Sequence, residues 1–260
     1  MIEIKSITHT VRLFATKLRM LDLVAPVMYC SYRGDKNRIP FYYKIIKGDS
    51  CFTDLTVSMD DMLVSMKSNT RNEIRRAERE GCVFSIVNDM DEFIPFYNDF
   101  CASKNLSDYV NRSRLAKYGD RLLLTKVMHN GVVLAMHANI IDPESGLALL
   151  ILSSSQRLAE GVDRKLIGWG NRFLHFKELE YLKEKGYKIY DWSGVCLDKD
   201  NPCYSIGQFK LGFGGKMIDS WTLESPIYVF LIWIRARIRS CRSFLEVAKR
   251  ILHKRREDVV

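Results

Sequence analysis

Apolar positions along this chain recur in helical and strand rhythms, and each rhythm predicts an element. Ile4, Ile7, Val11, Phe14, Leu18 and Leu21 are spaced by three or four residues, which predicts an amphipathic helix over 4–24. Residues 41–57 alternate or run apolar through Phe41, Tyr43, Ile45, Phe52, Leu55 and Val57. They read as two strands around Lys47-Gly48-Asp49-Ser50. A helix follows: Ser58 is placed to cap it, Asp61 stands three residues on, and Gly81 stops it. Met59, Met62, Leu63, Met66, Thr70, Ile74 and Ala77 form its buried stripe. Residues 83–87 predict a short strand, 91–104 a helix, and a second short helix precedes Gly119. Strands over 122–128, 132–141 and 147–154, separated by turns at Asn130-Gly131 and Pro143–Gly146, predict an antiparallel meander. A long helix over 162–185 ends at Gly186 and feeds a strand at 188–192, and a last strand runs over 216–223. This order predicts an α/β fold with a mixed, mainly antiparallel central sheet flanked by helices.

Beyond that sheet the rhythm changes. Ile227, Leu231, Ile234, Ile238, Cys241, Leu245, Ala248 and Leu252 alternate steps of four and three, a single helical stripe. Arg235, Arg237, Arg239, Arg242, Lys249 and Arg250 lie beside and opposite it, with Tyr228, Phe230 and Trp233 at its start. A basic amphipathic helix of this kind over 227–256 suits an anionic membrane surface, while a helix packed on the domain or a coiled-coil partner would show the same pattern. The expected organisation is a helical stub packed on the domain over 1–40, a main domain over 41–225, and the basic helix over 226–260.

Charge sharpens this picture. The net charge is +9, and residues 226–260 carry nine Lys/Arg against three Asp/Glu, leaving +3 for the first 225 residues. A nucleic-acid footprint spread over the whole fold is therefore not required, although a local basic groove for tRNA would suffice. The seven cysteines form no CxxC pair, which points to a reduced, cytoplasmic compartment. Cys196 and Cys203 flank a polar loop without a His/Cys set at ligand spacing, so no metal is expected. No apolar run approaches the ~20 residues that a membrane-spanning helix needs. Asp22 and Pro26 interrupt the early run over 20–29, and a signal peptide is not expected.

The segment with most chemistry is 186–216. A strand ends in Asp191-Trp192-Ser193-Gly194, and Lys210 then stands in Phe209-Lys210-Leu211-Gly212-Phe213-Gly214-Gly215. Five of the 15 glycines fall between 194 and 215, where glycine lets the backbone approach a ligand or turn sharply. A cationic lysine beside a reacting carbonyl can stabilise the oxyanion of a tetrahedral intermediate, and Asp191 could accept the proton of an attacking amine. The alternative is that Asp191 caps a turn and Lys210 makes a surface salt bridge. Lys67, Arg71, Arg75 and Arg79 recur every fourth residue along one helix side. That row could hold phosphate oxygens, or it could be a solvated face with Glu73, Glu78 and Glu80 as partners. The loop Ser153–Gly161 has Gln156 and Arg157 at the start of an acetyl-CoA-type anion loop, but the second glycine of such a loop is missing. His137, in mid-strand, reads as a satisfied structural residue.

Together, Lys67–Gly81 and Tyr190–Gly215 resemble the FemAB family, aminoacyltransferases that build peptidoglycan side bridges within the wider GNAT superfamily, alongside BioF2-like acetyltransferases. The resemblance spans residues 41–225 and implies a GNAT-like sheet and transfer of an acyl or aminoacyl group to an amine. It implies that Lys210 meets the acyl donor and the developing negative charge. Tyr190, Asp191, Gly194, Phe209 and Gly212 match neighbouring motif positions, and Ser193 and Gln208 complete the expected binding set. Arg71 and Arg75 would hold phosphates of donor or acceptor. FemAB enzymes carry two GNAT-like halves, whereas this chain has room for one half and a stub. The expected function is acyl or aminoacyl transfer to an envelope precursor, an amino sugar or a peptidoglycan or polysaccharide intermediate, lipid-linked or not. The donor is acyl-CoA or aminoacyl-tRNA, with no permanently bound cofactor. The rivals are an acetyl-CoA-dependent N-acetyltransferase of a small amine and a non-catalytic membrane-associated scaffold. The expected location is cytoplasmic, peripheral on the inner face of the membrane.

Overall fold

A computed structural model describes residues 1–156 and 163–238. The chain divides into two compact units, one of Met1–Lys47 with Trp221–Val260 and the other Gly48–Ser220.

In the first unit, β1 (Ile2–Lys5) and β2 (Thr10–Leu13) form an antiparallel hairpin, and β3 (Val27–Cys30) runs parallel to β2. No α-helix forms over 4–24, where the one helical piece is a short 3-10 turn at Met20–Leu23. The stretch is rich in β-branched residues (Ile2, Ile4, Ile7, Thr8, Thr10, Val11), which lose χ1 freedom in a helix and suit a pleated surface. Ile2 and Ile4 are buried while Glu3 and Lys5 between them are exposed, a period of two. The expected helical stub is therefore a set of strands. Ala15, Val27, Tyr29, Tyr32, Tyr43 and Leu223 make its core. Residues 226–238 are helical. Ser225 caps them, its Oγ accepting from the Tyr228 amide at 3.3 Å and donating to the Ala25 carbonyl at 2.7 Å. The remainder of the expected helix, 239–260, lies outside the described residues.

The unit boundary falls inside β4 (Lys44–Asp54), one continuous strand where two had been expected. In the second unit α1 (Met59–Ser65) and α2 (Ser68–Arg79) replace the single expected helix. The Ser58 cap is present, its Oγ accepting from the Asp61 amide at 3.0 Å. The break comes at Met66 and Lys67, both extended. Arg71 Nη1 donates to the carbonyls of Val64 (3.1 Å) and Met66, supplying donors that the last turn of α1 lacks. Then follow β5 (Val83–Val87), α3 (Met90–Ser103) and α4 (Arg112–Ala116).

The meander forms as the periodicity predicts: β6 (Leu122–His129), β7 (Val132–Asp142) and β8 (Leu147–Ser155) are antiparallel neighbours. Asn130 and Gly131 both take positive φ (49° and 79°), the mirror-image turn whose twist matches paired strands. The long helix α5 (Arg164–Glu184) leads to β9 (Ile189–Gly194), α6 (Tyr204–Leu211) and β10 (Lys216–Glu224), whose end pairs with β3 in the first unit. Strand order in the second unit is β4-β9-β8-β7-β6-β5, with β8 and β9 parallel and the rest antiparallel. Side chains alternate between two cores: Met62, Ile74, Val127, Ala135, Leu174 and Trp192 share one, Phe93, Leu115, Leu124, Met136 and Leu152 the other. The mixed, mainly antiparallel sheet flanked by helices is the architecture expected of a GNAT-like fold.

Four of the five glycines in the 194–215 stretch sit where a Cβ would overlap a neighbour, Gly207 against Cys196, Gly215 against Cys51, and Gly212 and Gly214 against the helices. A Cβ on Gly212 would come 2.8 Å from Thr70 Oγ1, and one on Gly214 (φ +76°) would come 2.4 Å from Ser65 Oγ and 2.5 Å from its carbonyl oxygen. They let the chain after α6 press on the helices α1 and α2. Gly194, by contrast, has open space where a side chain would go. Gly214→Ala should therefore cost about 1–3 kcal/mol through strain and overlap. A denaturant midpoint shifted down at unchanged slope checks it, with Gly194→Ala within about 0.5 kcal/mol of the parent as a surface-site control.

Candidate active site

β9 ends in a bulge. From Phe52 to Ser50 its partner β4 advances two residues while β9 advances three, from Asp191 to Gly194. Ser193 occupies the extra position with φ +64°. The bulge is pinned from beneath: Asp191 is fully buried, and its Oδ1 accepts from the Ser193 amide at 2.8 Å and from Ser50 Oγ at 2.6 Å. The Ser193 carbonyl lies 3.0 Å from the same hydroxyl. Of the two sequence readings of Asp191, the turn-capping one matches these contacts.

The bulge aims the Gly194 carbonyl at Lys210, whose Nζ donates to it at 2.8 Å. Lys210 rides on α6, a two-turn helix that apolar periodicity missed because Gly207 is its sole buried residue. The ammonium is half-buried and its pKa is lowered: desolvation outweighs the opposing charges of Asp191, Cys51 and Cys203. Neighbouring Cys51 is fully buried; burial and the Asp191 charge push its thiol up to about 11, against the Lys210 charge. A thiolate nucleophile beside Lys210 is thereby disfavoured.

The parallel strands part at the same level. Registered pairs between β8 and β9 run from Leu147–Ile189 to Leu149–Asp191, while β8 continues beside β7 to Ser155. The last pair thus holds Asp191, three residues before the carbonyl that Lys210 grips.

Tyr190 faces elsewhere. Its hydroxyl lies 3.1 Å from Asn139 Oδ1 and 3.3 Å from Glu178 Oε2, in a buried network that sequence reasoning did not find. Glu178 also accepts from Thr125, from Asn139 Nδ2 at 2.8 Å and from His137 Nδ1 at 3.0 Å, with His175 Nδ1 at 3.4 Å. Burial opposes ionisation of this carboxyl, but the charge and hydrogen bond of His137, with His175 beside it, prevail and hold its pKa low. Burial pushes His175 down to about 3, helped by His137. By residue type His137, His175 and Glu178 could hold a metal, their ligand atoms lying within 4.8 Å of one another. The two imidazoles stack at 4.0 Å and 30°, with both Nδ1 atoms facing Glu178 Oε2. Both ring nitrogens of His137 have partners, Glu178 Oε2 and, at 2.9 Å, Asn171 Oδ1, so it is the satisfied structural residue expected, whereas His175 Nδ1 makes no hydrogen bond. The missed signal lay in α5: His175 and Glu178 interrupt an otherwise apolar buried stripe of Ile167, Leu174 and Leu182.

The remaining expected residues scatter around α6. Phe209 packs under the Arg172 guanidinium at 4.7 Å and against His175 at 5.5 Å. Arg172 in turn pairs with Glu73 at 2.8 Å, tying α5 to α2. The Gly212 carbonyl accepts from the Lys67 amide at 2.9 Å, so the start of α2 abuts the end of α6. Gln208 is half-buried on α6. Arg71 caps α1, and Arg75 is exposed on α2. The row on α2 is thus divided between a structural arginine and solvent-facing ones. Arg157 to Gly161 of the candidate anion loop lie outside the described residues.

By sequence, no protein-family model matches the chain, and no curated protein does. Solved structures do. FemX superposes with a TM-score of 0.60 at 11% identity, over 83% of this chain and 81% of FemX. The C-terminal domain (DUF2156) of a protein assigned as a lysylphosphatidylglycerol synthetase from Agrobacterium fabrum gives 0.57 at 14% identity, over 88% and 83% of the two chains. L-PGS from Bacillus licheniformis gives 0.54 at 14%, over 86% and 80%. This chain shares the fold of those three proteins.

The buried network sets an acid-side expectation. Between 6.5, the ordinary histidine value, and about 3, the unfolded chain binds a proton at residue 175 that the folded chain does not, so stability falls as pH falls. Glu178, held below its ordinary 4.5, adds the same sign at lower pH. His175→Phe should flatten the fall between these limits by up to about 1.4 kcal/mol per pH unit. Denaturant unfolding of parent and variant at a series of pH values from 6.5 downward checks it.

Proposed function

We propose that this protein is an acyltransferase that moves an acyl or aminoacyl group onto an amine of a cell-envelope precursor, with Lys210 as the catalytic cation. The observation that carries the reading is the desolvated Lys210 ammonium at the bulged end of β9, where β8 and β9 part. Parting strands leave backbone N–H and C=O groups on their inner edges to hold an extended donor arm, as an added strand would. An amine attacking the donor carbonyl builds negative charge on oxygen, and Lys210 stands where it can exchange the Gly194 carbonyl for that oxyanion. Asp191 contributes by fixing the bulge and by favouring the charged form of Lys210.

The acceptor in this reading is an amine of an amino sugar, or of a peptidoglycan or polysaccharide intermediate, the class that the resemblance of Lys67–Gly81 and Tyr190–Gly215 to the FemAB family implies. The donor is an acyl-CoA or an aminoacyl-tRNA. We place the reaction at the inner face of the membrane, with the basic segment 227–256 as a peripheral contact. Among the described residues no helix is long and apolar enough to cross a bilayer.

Mass spectrometry of envelope polymers made with and without the protein should reveal a missing acyl group on an amine; unchanged polymers would count against the envelope acceptor. Thermal protection by acyl-CoA alone, or by aminoacyl-tRNA alone, separates the two donors. In the reaction so identified, Lys210→Ala should lose 10²–10³-fold in kcat/KM, on the order of one oxyanion donor. A folded variant with full activity removes Lys210 from the mechanism.

The lowered pKa gives a second test. The cation is lost as pH rises through a value below the ordinary lysine 10.5, so kcat/KM should fall on an alkaline limb that begins below that value. Lys210→Arg, whose charge persists, should abolish the limb even where it lowers the plateau.

A further inference from the structure

The first unit has a surface that the site in the second does not explain. Charge is divided unevenly: residues 1–47 hold nine Lys/Arg against three Asp/Glu, residues 48–220 twenty-two against twenty-four. Large apolar side chains follow the positive charge. Met20 is 94% exposed, Leu21 80% and Phe41 97%. Single exposed apolar residues are ordinary, but these stand on two segments that share one anchor. Asp22, next to Leu21, is buried and accepts from Arg12 Nη2 at 2.9 Å and from the Tyr29 hydroxyl. Tyr43, two residues after Phe41, packs edge-on against the same Tyr29 ring at 6.2 Å. A buried, hydrogen-bonded carboxylate and a buried aromatic cluster thus hold Met20, Leu21 and Phe41 outward. Lys17, Arg19 and Arg38, all exposed, stand three residues or fewer from one of these tips.

We infer that this face of the first unit docks on an anionic lipid bilayer. Met20, Leu21 and Phe41 enter the boundary between headgroups and acyl chains, and Lys17, Arg19 and Arg38 meet lipid phosphates. The excess of cations requires an anionic partner. The apolar groups project singly from separate segments, which a fluid interface accepts without a matching surface; binding then scales with apolar area and with attraction to anionic lipid. Acyl transfer forms no part of this inference, and neither does the segment 239–260.

The test is partition of the full chain onto vesicles of phosphatidylglycerol mixed with phosphatidylcholine, and onto phosphatidylcholine alone. The full chain should bind the anionic vesicles and release them at high salt. The triple variant Met20→Ser, Leu21→Ser, Phe41→Ser should bind on the order of tenfold more weakly or worse, with an unchanged unfolding midpoint because all three sites are exposed. On the unaltered chain, bound vesicles should slow amide exchange over 17–24 and 38–46, a readout that needs no variant. Three outcomes overturn the inference: no binding to anionic vesicles, protection confined to 226–260, or a lipid-free dimer that the triple variant dissolves, which would assign the face to a second copy. Intact vesicle binding by a chain without transferase activity would sink the proposed function and leave this surface standing.

Discussion

Everything specific about the candidate site depends on one buried carboxylate. Asp191 lies in the sheet at full burial, where an unpaired charge would be prohibitive, and the Ser193 amide and the Ser50 hydroxyl are what make it tolerable there. Those two donors in turn force Ser193 into the left-handed region and insert the extra residue into β9. With the bulge fixed, the Gly194 carbonyl turns toward α6 and gives the Lys210 ammonium an acceptor at 2.8 Å. Losing the carboxylate would release the bulge and the aim of that carbonyl together. Asp191 therefore acts as a positioning residue, a role that a motif match cannot distinguish from proton transfer.

The second unit keeps its polar chemistry in two separate compartments, which follows from strand alternation. Along β9 successive side chains point to opposite faces. Tyr190 and Trp192 turn toward α5, Phe213 and His175, whereas Asp191 turns to Ser50. The Glu178 network lies on one side, where Thr125 contributes from β6, His137 and Asn139 from β7, and Tyr190 from β9. Such a network locks the register of β6, β7 and β9 under α5, apart from the Asp191 and Ser50 contacts on the other face.

How much of this could be read beforehand varied with how many physical constraints pointed the same way. The meander over 122–155 was legible because alternation, a left-handed Asn-Gly turn and β-branched composition agreed. The residues of β1 and β2 were misread because an apolar spacing of three and four fits either a helix or two short strands, and propensity rather than spacing decides. The glycines after Lys210 were recognised as marking close approach. At Gly212 and Gly214, however, the approaching groups are Thr70 and Ser65, that is, helices of the same unit. Arg71 was legible as one of a row but not as a cap, because the break at Met66–Lys67 that exposes the carbonyls it binds is a tertiary feature. Lys210 itself could be singled out from its motif, whereas its helix, with a glycine at the one buried position, had no apolar period to detect.

The role proposed for Lys210 suits the same environment. A half-buried guanidinium would keep its charge whatever the surroundings, and its planar fork would demand acceptors that the single Gly194 carbonyl does not supply. An ammonium is a compact donor that can leave that carbonyl for a nearby oxygen with little motion, and desolvation lowers its hold on the proton. Attack of an amine on a carbonyl creates both an oxyanion and a surplus ammonium proton. In the proposed reaction a cation made less stable by burial would gain more from meeting the oxyanion than a fully hydrated one, so the desolvation of Lys210 would be offset in the transition state and not before it.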